Sequence, residues 1–306
     1  MEPEALTFEV VVGSGAVTMA AWWYAARTRP APSPVLVCLP GGTYDHGYFD
    51  LDVPGHDGYS FARAAAGRGV PVLAVDHLGT GASDRPAAEV HLADQADAVA
   101  AVLDQLPARV GRGGPFVAVG HSMGGYVAML QQARHGSYDA LAVLGTTNGP
   151  VAPLGLPPEV VAAATSLEGR AALVEQFLAG IPERYVEAPR DAMGSWFHLD
   201  DVPAEVVQAD DASTLTCVPR ACAAESTVPG VTAEAAAAVT VPVLLAYGDT
   251  DVSLDPHAEP GAFRSSRDVT LLVLAGSGHC HNMAADRHRL WGRLFSWCES
   301  VVGAPG

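Results

Sequence analysis

The run Phe116-Val117-Ala118-Val119-Gly120-His121-Ser122-Met123-Gly124-Gly125 sets a serine inside G-x-S-x-G, between an apolar strand pattern and a helical pattern through Tyr126, Val127 and Leu130. Side chains at Gly120 and Gly124 would collide in so sharp a strand-to-helix turn, and the bend pushes the Ser122 hydroxyl out above the sheet. A serine hydroxyl is a weak nucleophile at neutral pH, so it needs a base in hydrogen-bond reach and an acid that holds that base in one tautomer. Two downstream loops offer them. Gly248-Asp249-Thr250-Asp251 follows the apolar run 243–247, with Asp255 close behind, and Gly276-Ser277-Gly278-His279-Cys280-His281-Asn282 follows the run 269–274. The order is serine, aspartate, histidine. Asp249, Asp251 and Asp255 compete for the acid, and His279 and His281 for the base. The chemistry these types support together is acyl transfer.

The elements that must position them alternate. The chain opens with strand-like runs at 6–12 and 17–23 joined at Gly13-Ser14-Gly15, which predicts a hairpin. After a proline-rich linker at 30–34, short apolar runs at 35–39, 70–75, 116–119, 140–144, 241–247 and 269–274 read as strands buried on both faces. Between them Leu92, Ala96, Val99, Leu103 and Leu106 share one helical face, as do Leu290, Trp291, Leu294, Cys298 and Val301. Such alternation predicts a mostly parallel α/β sheet flanked by helices. The segment 150–240 departs from it: it shows no buried strand but has Ala-rich helical stretches at 158–164, 169–179 and 233–239.

Composition narrows the functions. The chain has 306 residues, 49% of them hydrophobic and 17% charged, enough for a large core. All 17 basic residues are arginine, so phosphate-loop, protein-kinase, PLP and Schiff-base chemistries that need one lysine amine are excluded. A net charge of −17 opposes nucleic-acid and anionic-membrane partners. The acidic start and the lack of a long apolar run predict a cytoplasmic protein, and five scattered cysteines predict reduced thiols, although Cys217 and Cys222 are close enough to bridge.

With these motifs in their order, the chain resembles the α/β-hydrolase superfamily, in its serine-nucleophile branch with a helical cap. Two further landmarks carry the resemblance: Leu39-Pro40-Gly41-Gly42-Thr43, similar to the oxyanion loop although proline stands where histidine is common, and Asp76-His77-Leu78-Gly79-Thr80-Gly81-Ala82-Ser83, similar to the D-x-x-G-x-G-x-S turn. The resemblance implies a core at 1–149 and 241–306, with a cap at 150–240 inserted after the sixth strand. It assigns the acid to Asp251 and, through G-x-G-H, the base to His279. It places the oxyanion donors at the Met123 N–H and in the Gly41-Gly42-Thr43 loop, with Gly42 favoured and Thr43 the alternative.

The implied activity is hydrolysis of a carboxylic ester or lactone of a small to medium, neutral or apolar molecule. Thioester hydrolysis, acyl transfer and C–C bond hydrolysis use the same triad, and a receptor-like relative that binds without turnover stays open. No metal or cofactor is expected, because the polar residues Asp45, His46, Asp50, Asp52, His56 and Asp57 match no ligand spacing, and Gly13-Ser14-Gly15 is no dinucleotide motif. His77 and His121 are expected to pack as structural groups. Candidate pocket walls are Tyr48, Trp196 and Phe197, with Phe49 and Met123 beside them. The proposed cap carries −9 of the charge, which favours neutral or cationic substrates. The oligomeric state is left open by the sequence.

Overall fold

The protein is described by a computed structural model that covers residues 2–13, 15–26, 33–111, 114–188, 190 and 193–302. Strands β1 (Glu4–Val12) and β2 (Gly15–Tyr24) form the opening hairpin. In β1 the even residues Leu6, Phe8, Val10 and Val12 are buried and the odd ones from Ala5 to Val11 exposed, the alternation of an edge strand with one wet face. Ser14 of the expected turn and 30–32 of the expected linker lie outside the described residues.

The next strands are β3 (Val35–Leu39), β4 (Val72–Val75), β5 (Phe116–His121) and β6 (Ala140–Leu144). In β3 every residue is buried, yet Val35, Val37 and Leu39 join one hydrophobic cluster and Leu36 and Cys38 another. The sheet is therefore covered on both faces, which is why the run is continuously apolar. One cover is α2 (Leu92–Val110) with α3 (Met123–His135); the other includes α1 (Phe61–Gly67) and a C-terminal helix at 287–302.

Beyond β6 come α4 (Pro158–Ala163), α5 (Leu167–Ala179), β7 (Tyr185–Glu187), α6 (Gly194–Phe197), α7 (Ala204–Thr214), β8 (Cys217–Pro219), α8 (Arg220–Ser226) and α9 (Ala233–Ala238). The expected helical stretches are present within a few residues. The expectation of no buried strand in this segment needs correction: β8 is buried and pairs antiparallel with β7. Three residues are too few to show a period in sequence. Cys222, Ala235, Ala236 and Val239 join the main core beside α3, so the last part of 150–240 packs on the helices that cover one face of the sheet.

Strands β9 (Val243–Gly248) and β10 (Val269–Leu274) and helix α10 (Arg287–Val302) complete the chain. The eight-stranded order is β1-β2-β4-β3-β5-β6-β9-β10, parallel from β4 onward. Adjacent strands β5, β6 and β9 thus bring the loops after them to one edge of the sheet, as open α/β folds do for ligand sites. All five cysteines are buried and free, so Cys217 and Cys222 are not bridged. Among the described residues no helix is long and apolar enough to cross a membrane.

Candidate active site

Ser122 joins β5 to α3 with φ 52° and ψ −119°, a backbone conformation that costs a non-glycine residue on the order of 1–3 kcal/mol. The surroundings over-determine it. Its N–H donates to Leu144 O of β6 at 2.8 Å, and its carbonyl accepts from the Gly125 N–H at 2.9 Å and the Thr146 hydroxyl at 2.8 Å. A Cβ on Gly120 would strike the backbone of Gly124 and Gly125, and one on Gly124 would strike the carbonyl of Leu39. The serine remains partly accessible while its neighbours His121 and Met123 are buried.

Of the three competing aspartates, Asp251 meets the histidine side chains: its Oδ1 lies 2.7 Å from His279 Nδ1. Asp251 also accepts from the Val252 N–H at 2.7 Å and the Gly248 N–H at 3.0 Å. Burial alone would push its carboxyl up, but the neighbouring His281 and His279, by charge and hydrogen bonding, outweigh burial and hold it well below the usual carboxylate range. An ionised carboxylate can only accept, so His279 Nδ1 carries the proton and Nε2 keeps its lone pair. Asp249 instead caps the N–H groups of Gly276 and Ser277, and Asp255 that of His257. His281 is not the free alternative base: its Nε2 lies 2.8 Å from Asp251 Oδ2.

His279 is tied to the elbow through His121. The His121 ring stands 4.6 Å from the His279 ring, and its Nε2 donates to the His279 carbonyl at 2.9 Å. Burial, helped by the nearby His279 and His281, drives His121 well below the ordinary imidazole value, so it stays neutral.

The loop after β3 lies against the same elbow. A Cβ on Gly41 would stand 3.1 Å from Ser122 Cβ, and one on Gly42 would face the Met123 side chain at 3.8 Å. Met123 is the first residue of α3, so its N–H is outside the helical ladder. Thr43 adopts φ 65°, and its carbonyl accepts from the Thr216 N–H at 3.0 Å and from Arg190 at 3.1 Å. His77 holds the start of this loop by donating to Pro40 O at 3.0 Å. In the Asp76 to Ser83 turn, Asp76 accepts from the Ala82 N–H at 2.7 Å and Ser83 donates to the Asp76 carbonyl at 2.7 Å. These bonds make that motif a brace for the loop.

The segment after β6 touches His279 directly. The carbonyls of Trp196 and Phe197 accept from the N–H groups of His279 at 2.8 Å and Cys280 at 2.9 Å, and the two rings stand 4.9 and 5.3 Å from the His279 ring. Trp196 is half-buried and Phe197 buried. Tyr48, expected as a pocket wall, is wholly buried and stacked on His121 at 4.2 Å, so it supports the elbow from below and borders no open space. Phe49 is likewise buried, packed on Tyr48 and Phe61.

Sequence reasoning missed a buried network beside this site. Tyr44 donates to Asp210 at 2.7 Å and lies 3.2 Å from Cys280 Sγ; His198 Nε2 lies 3.0 Å from Asp210; and the Arg190 guanidinium stacks 4.0 Å above the Tyr44 ring. It ties the loop after β3 and the histidine loop to the segment after β6. His198, Asp210 and Cys280 hold N, O and S atoms within 4.8 Å of one another, a donor set that also suits a soft metal ion. Here the Asp210 oxygens already accept from Tyr44 and Thr214, with His198 beside them. In the second group, Asp45, His46 and Asp76, the carboxylates cap the backbone N–H groups of Gly47, His46 and Ala82.

Residues 36–290 match the model of the alpha/beta hydrolase family, and the chain belongs to that family. A search of curated protein sequences finds no match. Among solved structures, the chain is similar to a thermophilic esterase from Thermogutta terrifontis with malate bound, at 18% identity over 97% of this chain and 99% of that one, with a TM-score of 0.62. A bromoperoxidase from Bacillus anthracis is 13% identical over 97% and 100%, with a TM-score of 0.67. A haloalkane dehalogenase loop variant from Bradyrhizobium elkanii is 17% identical over 99% of each chain, with a TM-score of 0.64. At these identities the likeness is one of fold.

Proposed function

We propose that this chain is a serine hydrolase that cleaves a carboxylic ester or lactone of a small to medium apolar molecule through an acyl-enzyme. The observation that carries this reading is the elbow serine, held at φ 52°, on the same sheet edge as a His279 whose Nδ1 is fixed by Asp251 at 2.7 Å. Ser122 attacks the carbonyl carbon while His279 Nε2 takes its proton. Asp251 stabilises the imidazolium, and the Met123 and Gly42 N–H groups receive the oxyanion. His279 then protonates the departing alcohol, and water repeats the sequence to release the acid and restore Ser122. A serine nucleophile separates this chemistry from dehalogenation and epoxide opening on the same fold, which use a carboxylate.

Residues 150–240 serve as the cap in this reading, with Trp196 and Phe197 walling the acyl or alcohol pocket. Their apolar rings suit an uncharged substrate, as does the −9 charge of the segment. The test is steady-state hydrolysis of short p-nitrophenyl esters and lactones. Saturable turnover is expected, falling at least about 10⁴-fold in Ser122→Ala. Lack of turnover across esters, lactones and thioesters would replace this reading with that of a binding protein.

A further inference from the structure

Asp251 has two histidine partners. His279 Nδ1 lies 2.7 Å from Oδ1, and His281 Nε2 lies 2.8 Å from Oδ2. We propose that His281 is a positioning residue that draws off part of the Asp251 charge and thereby lowers the basicity of His279, extending activity toward lower pH. This inference rests on reading Ser122, His279 and Asp251 as the triad.

The contact has the marks of a built feature. Gly145, at φ 58°, stands where a Cβ would lie 3.1 Å from both His279 and His281, so the missing side chain makes room for the two rings. The His281 ring is buried and its Nδ1 has no hydrogen-bond partner, a cost that an apolar side chain at this position would avoid. Because Asp251 is ionised, His281 Nε2 donates to it. The Gly248 N–H, which lies 3.2 Å from that nitrogen and 3.0 Å from Asp251 Oδ2, therefore bonds to the carboxylate. In the neutral ring Nδ1 is then a bare lone pair. One carboxylate charge shared between two ring N–H groups stabilises the His279 imidazolium less than an undivided one.

The other titratable groups around the pair leave this effect in place. His121, at the end of β5, lies 4.6 Å from the His279 ring and 5.6 Å from that of His281 and stays neutral. The Cys280 thiol between them is pushed up by burial, and beyond it Tyr44, Asp210 and Arg190 are bound to one another. Buried Tyr48 stacks on the far face of His121, and Asp249 is engaged by backbone N–H groups on the outer side of the loop. Among the described side chains, α6 contributes Trp196 and Phe197, which carry no charge.

The test is ring-nitrogen NMR of the histidines against pH in the Ser122→Ala protein, which needs no turnover. The His279 titration midpoint is expected to rise by about half to one pH unit in His281→Leu and to return most of the way in His281→Gln, whose amide N–H can still reach Asp251. In the parent protein His281 is expected to carry its proton on Nε2. An unmoved His279 midpoint, or a proton on His281 Nδ1, would overturn the proposal, and the tautomer reading holds even if the variants fail to fold. In the active enzyme the acidic limb of kcat/KM should move with the midpoint while KM stays within about twofold; a uniform loss of kcat at every pH would make His281 merely structural. If no ester is turned over, the proposed function fails, and the NMR midpoint still decides whether His281 tunes His279.

Discussion

The backbone N–H of His279 donates to the carbonyl oxygen of Trp196 at 2.8 Å, so the candidate base is hung from a residue of the segment that lies over it. Main chain holds the histidine loop, and the indole, half-buried beside the imidazole, takes no part in that bond. Trp196→Ala keeps that bond and removes the ring. The expected result is a rise in KM for apolar esters of about tenfold, the loss of roughly 1–2 kcal/mol of apolar contact, with kcat within a few-fold. A collapse of kcat with unchanged KM would show that the indole positions His279 rather than substrate.

Asp251→Asn exchanges an ion for a neutral amide under both imidazoles. Expected is a loss of kcat of about 10⁴-fold near neutral pH with the fold intact by circular dichroism, because His279 loses its enforced tautomer and its counter-charge. The same carboxylate bears on acid stability. Its folded pKa is depressed below the unfolded value near 4, so its contribution is present above that pH and is lost as pH falls toward the folded value. Urea unfolding of wild type and Asp251→Asn should therefore converge only below about pH 4.

His77 acts in a higher window. Burial holds its imidazole at about 4 against an ordinary 6.5, so below 6.5 the unfolded chain takes up a proton that the folded one does not. Stability is fully present above pH 6.5 and should decline by about 3 kcal/mol by pH 4 from this group alone. Melting temperatures from pH 7 to 4.5 should fall more steeply in wild type than in His77→Gln. Parallel curves would count against a neutral buried His77.

Tyr44→Phe removes the hydroxyl that links Asp210 to Cys280. Leaving a buried acceptor short of a donor costs about 1–3 kcal/mol, so a lower midpoint in chemical unfolding is expected. Turnover should also fall, since Tyr44 directly follows Thr43 in the loop that faces Met123. A variant as stable as wild type would remove the network from the forces that join the segment after β6 to the sheet.

The acidic segment makes a kinetic prediction. Matched neutral and carboxylate-bearing esters at about 10 mM salt should differ in kcat/KM in favour of the neutral one, and the gap should narrow as salt screens the −9 charge of 150–240. Faster turnover of the anionic ester would exclude electrostatic repulsion at the entrance.

Much of this was legible in the sequence. The elbow was, because its turn, its small neighbours and its flanking strand and helix are contiguous. The choice of Asp251 over Asp249 and Asp255 came from motif position and agrees with the bond to His279. The pairing of His281 with Asp251 was not legible: the chain turns here, with the His281 N–H donating to the His279 carbonyl at 3.0 Å, and only that turn brings both imidazoles to one carboxylate. Tyr48 was misjudged as a wall because sequence places it after the loop but does not say which way the ring packs.

What the sequence determined by itself is what depends on neighbours along the chain: strand and helix periodicity, the serine turn, and the order of serine, aspartate and histidine after β5, β9 and β10. What only the tertiary structure decided depends on the path of 150–240 back over the sheet. Tyr44 and Asp210 are 166 residues apart and meet at 2.7 Å, and the Trp196 carbonyl finds the His279 N–H. No local pattern encodes such contacts, because they form only when helices without a repeating period are packed against a surface that the rest of the chain must first build.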